Sequence, residues 1–429
     1  MPMAPEQVVL AALELAQGGR FDEVRDLFVP QLQDFVVPEA LETAWDRELA
    51  TQGPIVSVGA PVSEPAPGDA AVVRVPVCCE RGGFTLIAPV SPDGQLGGLQ
   101  IAPLSAASPI APWEPPDYAD PTCFDEEEVT LGPQPLAVGA TLSVPRGDGP
   151  WPGLVLLAGS GSLDRDETIG RNKPFKDIAW GLAGRGVAVL RFDKVTHAHA
   201  AEIRDARGFS LSDEYLPNAA AAVAVLQRHP AIDRERVFVL GHSLGGTVAP
   251  RVAEADPSVA GLVLLAGGAQ PLHWAIVRQA RYLAQLNPAT AAGSQPVIDA
   301  LTAKAEMVDS TEPSPSTPVS ELPLGAPASY WLDIRGYDPA ALAAMLDKPM
   351  LVLQGSRDDQ VTVDDDLSRW EAALDGRPGV IVRVYPEFNH LFVAGSGPSS
   401  PAEYEPAQHV DPAAVTDIAA WLETVTPHG

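Results

Sequence analysis

Apolar residues recur through the first fifty positions at helical spacing: Val9, Leu13 and Ala16; then Phe21, Val24, Phe28 and Leu32; then Leu41, Trp45 and Leu49. Each set falls on one stripe, which predicts three helices that each bury one face. From Pro54 the period shortens to two. Val73, Val75, Val77 and Cys79 lie on one face of a predicted strand, with Arg74 and Glu80 turned the other way. Ser91-Pro92-Asp93-Gly94 supplies turn residues between the apolar runs Phe84-Thr85-Leu86-Ile87 and Leu99-Gln100-Ile101. Residues 1–104 therefore read as a small α+β domain of three helices and about four strands.

Residues 105–122 carry Pro109, Pro112, Pro115, Pro116 and Pro121 and read as an extended linker. The second domain, 123–429, opens on an acidic run, Asp125-Glu126-Glu127-Glu128, expected to be a solvated strand edge. Strand and helix patterns then alternate, as a parallel sheet with helical crossovers requires. Predicted strands are 127–131, 140–144, 153–157, 187–192, 237–240, 262–265, 350–353 and 380–385. Helices are predicted near 175–183, 213–228, 243–255, 363–374 and 412–422. The stretch 271–345 breaks the rhythm with an amphipathic segment, Trp274 to Leu286, and a Ser/Thr/Pro-rich segment, Asp309 to Pro323, expected to be mobile. Inserted after a strand, it predicts a helical cap above the carboxyl end of the sheet, where ligands bind.

Charge and cysteine content narrow the function classes. The net charge of −28 over 429 residues opposes binding to phosphate backbones or anionic membranes, so neither nucleic acid nor membrane is an expected partner. Cys78, Cys79 and Cys123 are odd in number, and adjacent cysteines on a strand face opposite ways, which suggests a reducing compartment. No apolar run approaches the ~20 residues of a membrane span, and no basic segment precedes the first apolar residues. A cytoplasmic protein, or a mature form freed of its signal, is expected.

The chemistry centres on Gly241-His242-Ser243-Leu244-Gly245-Gly246, set between the apolar run Val237–Leu240 and a predicted helix. A serine at the apex of a strand–turn–helix fits G-x-S-x-G, in which the flanking glycines avoid collisions with the neighbouring strand and helix. A serine hydroxyl needs a base within reach and a carboxylate to orient that base. An oxyanion also needs two fixed N–H donors. Leu244, directly after the serine at the start of a helix, offers one. Pro250 predicts a kink in that helix, eased by the missing side chain of Gly246. His197 and His199 form an H-x-H without the carboxylates of a metal site. Gly159 and Gly161 lack the G-x-G-x-x-G and Walker contexts of nucleotide binding.

Gly241-His242-Ser243-Leu244-Gly245, Asp358 and His390 together resemble the catalytic triad of the α/β-hydrolase superfamily, over residues 125–425. The order Ser, Asp, His is that family's, and each member falls just after a predicted strand. The resemblance implies an α/β-hydrolase fold, with a mostly parallel eight-stranded sheet and helical cap, preceded by the small α+β domain. It makes Ser243 the nucleophile and His390, in Glu387-Phe388-Asn389-His390-Leu391-Phe392, the base. A family pattern D-x-x-V selects Asp358 over its neighbour Asp359 as the acid. In such an elbow His242 points away from the serine. Asp364, Asp365 and Asp366 are expected to open the following helix.

The second oxyanion donor is expected from the loop Leu157-Ala158-Gly159-Ser160-Gly161-Ser162, at the N–H of Ser160, although many relatives carry histidine where Ala158 stands. Arg165 is expected to organise this loop by ion pairing. Residues 5–104 resemble the cystatin-like or nuclear-transport-factor-like domains that precede some bacterial hydrolases. The expected activity is ester cleavage through an acyl-enzyme, with a small-molecule acyl substrate and no cofactor. A thioesterase or acyltransferase with the same triad, or a binding protein that keeps the fold, are the alternatives. Aspartate nucleophile chemistry, as on haloalkanes or epoxides, is disfavoured by Ser243.

Overall fold

A computed structural model describes the chain except residues 1–2, 34–35, 67–69, 105–112, 205–207, 287–290, 312 and 426–429. The chain divides into two compact units, Met1–Pro112 and Trp113–Gly429.

In the first unit the helices are Pro5–Gln17, Phe21–Asp26, Pro30–Gln33 and Pro38–Gln52. The stripe expected to form one helix from Phe21 to Leu32 is broken at Pro30, which lacks the N–H an interior position needs and starts a new first turn instead. Five strands follow: β1 (Ile55–Val58), β2 (Val62–Ala66), β3 (Ala70–Cys79), β4 (Gly82–Val90) and β5 (Gln100–Pro103). They form an antiparallel sheet in the order β1-β3-β4-β5, with β2 also on β3. Val73, Val75 and Val77 are fully buried, and Trp45 meets Phe84 edge-on at 5.7 Å. An apolar cavity of about 330 Å³, lined by Phe21, Leu41, Trp45, Leu86 and Ile101, lies inside this unit.

The second unit is built on β6 (Phe124–Leu131), β7 (Val138–Pro145), β8 (Trp151–Leu157), β9 (Ala188–Phe192), β10 (Ile232–His242), β11 (Leu262–Leu265), β12 (Met350–Gly355) and β13 (Val380–Tyr385). Their order is β13-β12-β11-β10-β8-β9-β7-β6, and only β7 runs against the rest. All eight lie where the sequence predicts strands. The inner ones are continuous apolar runs because both faces of the sheet are covered. Helices Pro174–Ala183 and Pro412–Thr424 pack on one face; Leu211–Arg228, Leu244–Ala255, Pro339–Met345 and Ser368–Leu374 pack on the other.

Four local readings of the sequence change. Of the expected linker 105–122, residues 105–112 lie outside the described residues, while the remainder packs on the second unit. There the Trp113 indole donates to Asp177 Oδ1 at 2.9 Å and the Tyr118 hydroxyl to the Val410 carbonyl at 2.7 Å. Half-buried aromatic bodies with a polar handle seek such partners. The acidic run on the edge strand β6 is ion-paired rather than merely solvated: Glu126 meets Arg191 at 2.8 Å, and Asp125 and Glu128 each meet an arginine, Arg146 and Arg165, at 2.6 Å.

The insertion is helical over Leu272–Leu286, Ala291–Asp309 and Ala328–Ile334, but its last helix, Pro339–Met345, buries Ala340 and Ala343 in the main core. The parallel pair β11 and β12 needs a crossover on the sheet. Within the Ser/Thr/Pro-rich segment expected to be mobile, Leu322 is fully buried beside Val308 and Trp331, an apolar anchor its composition hides.

Candidate active site

Strand β10 runs directly into the helix Leu244–Ala255, and Ser243 at the junction adopts φ 54° and ψ −119°. This left-handed conformation costs energy for a residue with a side chain, and its surroundings hold it. The Ser243 N–H donates to the Leu265 carbonyl of the neighbouring strand at 3.0 Å. A Cβ on Gly241 would overlap the backbone of Gly245, and one on Gly245 would overlap the Leu157 carbonyl. The two glycines are therefore required where the pattern places them. Gly246 has a different reason from the one expected: its Cβ would fall 2.6 Å from the Gly267 Cα, so it admits the β11 loop, and the helix continues past Pro250 to Ala255 as one element.

The structure joins Asp358 and His390, each just beyond the end of a sheet strand. His390 Nδ1 lies 2.7 Å from Asp358 Oδ2, with both residues buried. The other carboxylate oxygen of Asp358 accepts the N–H groups of Gln360 at 2.8 Å and Val361 at 2.9 Å, which fixes the carboxylate against rotation. Asp359 takes no part in this pair. Its Oδ1 is buried without a partner, and burial together with the neighbouring Asp358 carboxylate raises its pKa above the ordinary value.

His242 is a residue whose part the sequence reading missed. It is buried, its Nδ1 lies 2.9 Å from Glu167 Oε1, and its Nε2 lies 2.9 Å from the His390 carbonyl oxygen. Burial works against a charged imidazole here, but the Glu167 carboxylate outweighs it, and the pKa stands above 6.5. Glu167 also accepts the Gly159 N–H at 2.6 Å, so one carboxylate oxygen serves both the Gly159 loop and the histidine beside Ser243. The only hint in the sequence was the acidic stretch after Arg165. Arg165 itself pairs with Asp193 at 2.8 Å and Glu128 at 2.6 Å, which ties that stretch to β6.

Ser160, Ser243 and Leu244 line one cavity of about 180 Å³, together with Thr247, Gln270, Leu272, Ile276, Gln279, Leu324, Gln360, Val361 and Asp366. The loop approaches the serine closely: a Cβ on Gly159 would stand 3.6 Å from Ser243 Oγ. Asp366, expected only to open a helix, is fully buried and accepts the N–H groups of Ala269 at 3.0 Å and Gln270 at 2.9 Å. Its second oxygen meets Arg278 of the insertion helix at 2.8 Å. His197 and His199 lie near the carbonyls of Ser162 and Ala137, and no group of His, Cys, Asp and Glu suited to a metal ion occurs among the described residues.

Backbone strain collects here as well. Among the described residues, the non-glycine positions with positive φ are Glu167, Ser243, Ala266, Leu324 and Phe392. Ser243 and Leu324 line the cavity, Glu167 holds His242, Ala266 directly follows β11, and Phe392 follows His390 by two positions. Such clustering marks places where the fold gives up local comfort for geometry.

Residues 168–394 match the family described as serine aminopeptidase, S33. The chain is 37% identical to esterase EstD of Thermotoga maritima over 343 residues, 80% of this chain and 77% of the relative. Among solved structures, a Pyrococcus furiosus esterase aligns at 16% identity and a TM-score of 0.45, covering 74% of this chain and 95% of its own. An esterase from Pyrobaculum calidifontis aligns at 16% identity and a TM-score of 0.45, covering 71% and 87%. No described helix is long and apolar enough to cross a membrane. The chain belongs to the α/β-hydrolase superfamily, within the serine aminopeptidase S33 family.

Proposed function

We propose that the protein is a serine esterase that cleaves carboxylic esters through an acyl-enzyme. Ser243 attacks the acyl carbon while His390 accepts its proton and then passes it to the leaving alcohol. Asp358 holds His390 in the tautomer that leaves Nε2 free for this exchange. The N–H groups of Leu244 and Ser160 receive the oxyanion, and a water activated by His390 releases the acid. The helical insertion acts as the cap that shapes the acyl pocket. The observation that carries this reading is the strained Ser243 elbow in company with the Asp358–His390 pair at 2.7 Å. The esterase activity named for the Thermotoga relative supports the choice of ester.

The family description favours a second reading, the same triad acting on peptides with a free amino terminus. Recognition of an ammonium group calls for an uncommitted carboxylate. The carboxylate among the cavity-lining residues, Asp366, is already engaged by Arg278 and three backbone N–H groups, those of Ala269, Gln270 and Thr362. The ester reading is therefore preferred.

Labelling with a fluorophosphonate, wild type beside Ser243→Ala, followed by turnover of p-nitrophenyl esters, an acyl thioester and an aminoacyl p-nitroanilide, tests the proposal. Equal labelling of both proteins removes Ser243 as nucleophile. Faster turnover of the thioester or the anilide than of any ester replaces the substrate class.

A further inference from the structure

Lys194 follows strand β9 and its side chain is only 2% exposed, an unusual place for an ammonium group. Its Nζ is 2.8 Å from the Gly159 carbonyl oxygen, 2.9 Å from the Tyr215 hydroxyl and 3.0 Å from Glu214 Oε1, which uses all three of its donors. The Tyr215 hydroxyl in turn reaches the carbonyls of Ala158 at 2.8 Å and Gly159 at 3.0 Å. The Gly159 N–H goes to Glu167 at 2.6 Å. Buried side chains thus hold both carbonyls and one N–H of the two peptide groups that flank Gly159. The remaining N–H is that of Ser160.

In a trans peptide the C=O and N–H point in opposite directions. Drawing the Gly159 carbonyl toward Lys194 turns the Ser160 N–H to the other side, and Ser160 lines the cavity with Ser243. A cation on the carbonyl also polarises the peptide and strengthens its N–H as a donor. We propose that Lys194, assisted by Tyr215, is a positioning residue for catalysis: its ammonium on the Gly159 carbonyl aims and polarises the Ser160 N–H as an oxyanion donor. The proposal rests on the esterase reading with Ser160 N–H in that role. Glu214 balances the charge, supported by Thr196 Oγ1 at 2.8 Å and the Tyr330 hydroxyl at 3.3 Å.

The test uses the full chain with Lys194→Met and, because that change leaves Glu214 buried without its cation, Lys194→Met/Glu214→Gln. Removing an oxyanion donor costs about 10²–10³-fold in kcat. Both variants should lose about 100-fold in kcat with KM within about threefold. A trifluoromethyl ketone, which adds to the serine and creates an oxyanion, should lose affinity by a comparable factor, while inhibition by the alcohol product stays as in wild type. Wild-type kcat in the folded double variant overturns the proposal, as does an equal loss of affinity for the ketone and the alcohol. An active Ser243→Ala protein would instead overturn the esterase reading beneath it.

Discussion

His242 Nε2 lies 2.9 Å from the carbonyl oxygen of His390, so the residue preceding the elbow serine is bonded to the backbone of the histidine that pairs with Asp358. Its other nitrogen faces Glu167, and the pKa of His242 is held above 6.5 by that carboxylate despite burial. A group whose folded pKa is raised stabilises fully below its unfolded pKa and loses that contribution as pH rises through the folded value. Urea midpoints of wild type and His242→Gln, compared from pH 6 to 9, should therefore converge as pH increases. A constant gap across that range would mean that the imidazole is neutral in the native protein.

The two adjacent aspartates should separate sharply in kinetics. Asp358→Asn removes the carboxylate from His390 Nδ1 and should lower kcat about 10³-fold or more. Asp359→Asn, at a residue without that contact, should stay within about tenfold of wild type. Measured kcat values that place the larger loss at Asp359 would reassign the acid.

Arg278 joins the insertion helix to the core through Asp366, whose side chain is 1% exposed against 18% for Arg278. Removing one partner leaves a buried charge uncompensated, so Arg278→Met should lower the unfolding free energy by about 3 kcal/mol. Arg278→Met/Asp366→Asn should recover part of that loss in the same denaturant titration. No recovery would show that Arg278 acts by packing alone.

A cavity of about 180 Å³ beside Ser243 is smaller than the roughly 300–1,000 Å³ of pockets that hold drug-sized ligands. Short acyl chains should accordingly be preferred, with kcat/KM for p-nitrophenyl butyrate at least about tenfold above that for the dodecanoate. A flat chain-length series would require the insertion to open before substrate enters.

Much of this arrangement was legible in the chain. Inner strands such as β10 and β12 declare themselves because both faces are buried, and the elbow because Gly241 and Gly245 are sterically obligatory. Asp358 and His390 follow from family order and from their places after strands. Glu167, Lys194 and Asp366 did not read out, since a charged residue in a sequence carries no sign of whether it will be buried. Their partners stand far away along the chain: 75 residues separate Glu167 from His242, and 88 separate Arg278 from Asp366. The helix Pro339–Met345 was likewise hidden inside a stretch read as one insertion, because only the pairing of β11 with β12 reveals it as a crossover.

Glu167 combines a φ of 54° with one carboxylate oxygen that serves two donors and another that is buried with none. Glycine there would relax the backbone and remove the orphaned oxygen, but it would also strip the Gly159 N–H and the buried His242 imidazole of their shared acceptor, so the strain is held in place by the contacts it makes possible. Robustness and activity therefore depend on this single codon together. Libraries screened only for heat tolerance should keep Glu167, and with it the common anchor that joins the loop before Ser160 to the histidine preceding Ser243.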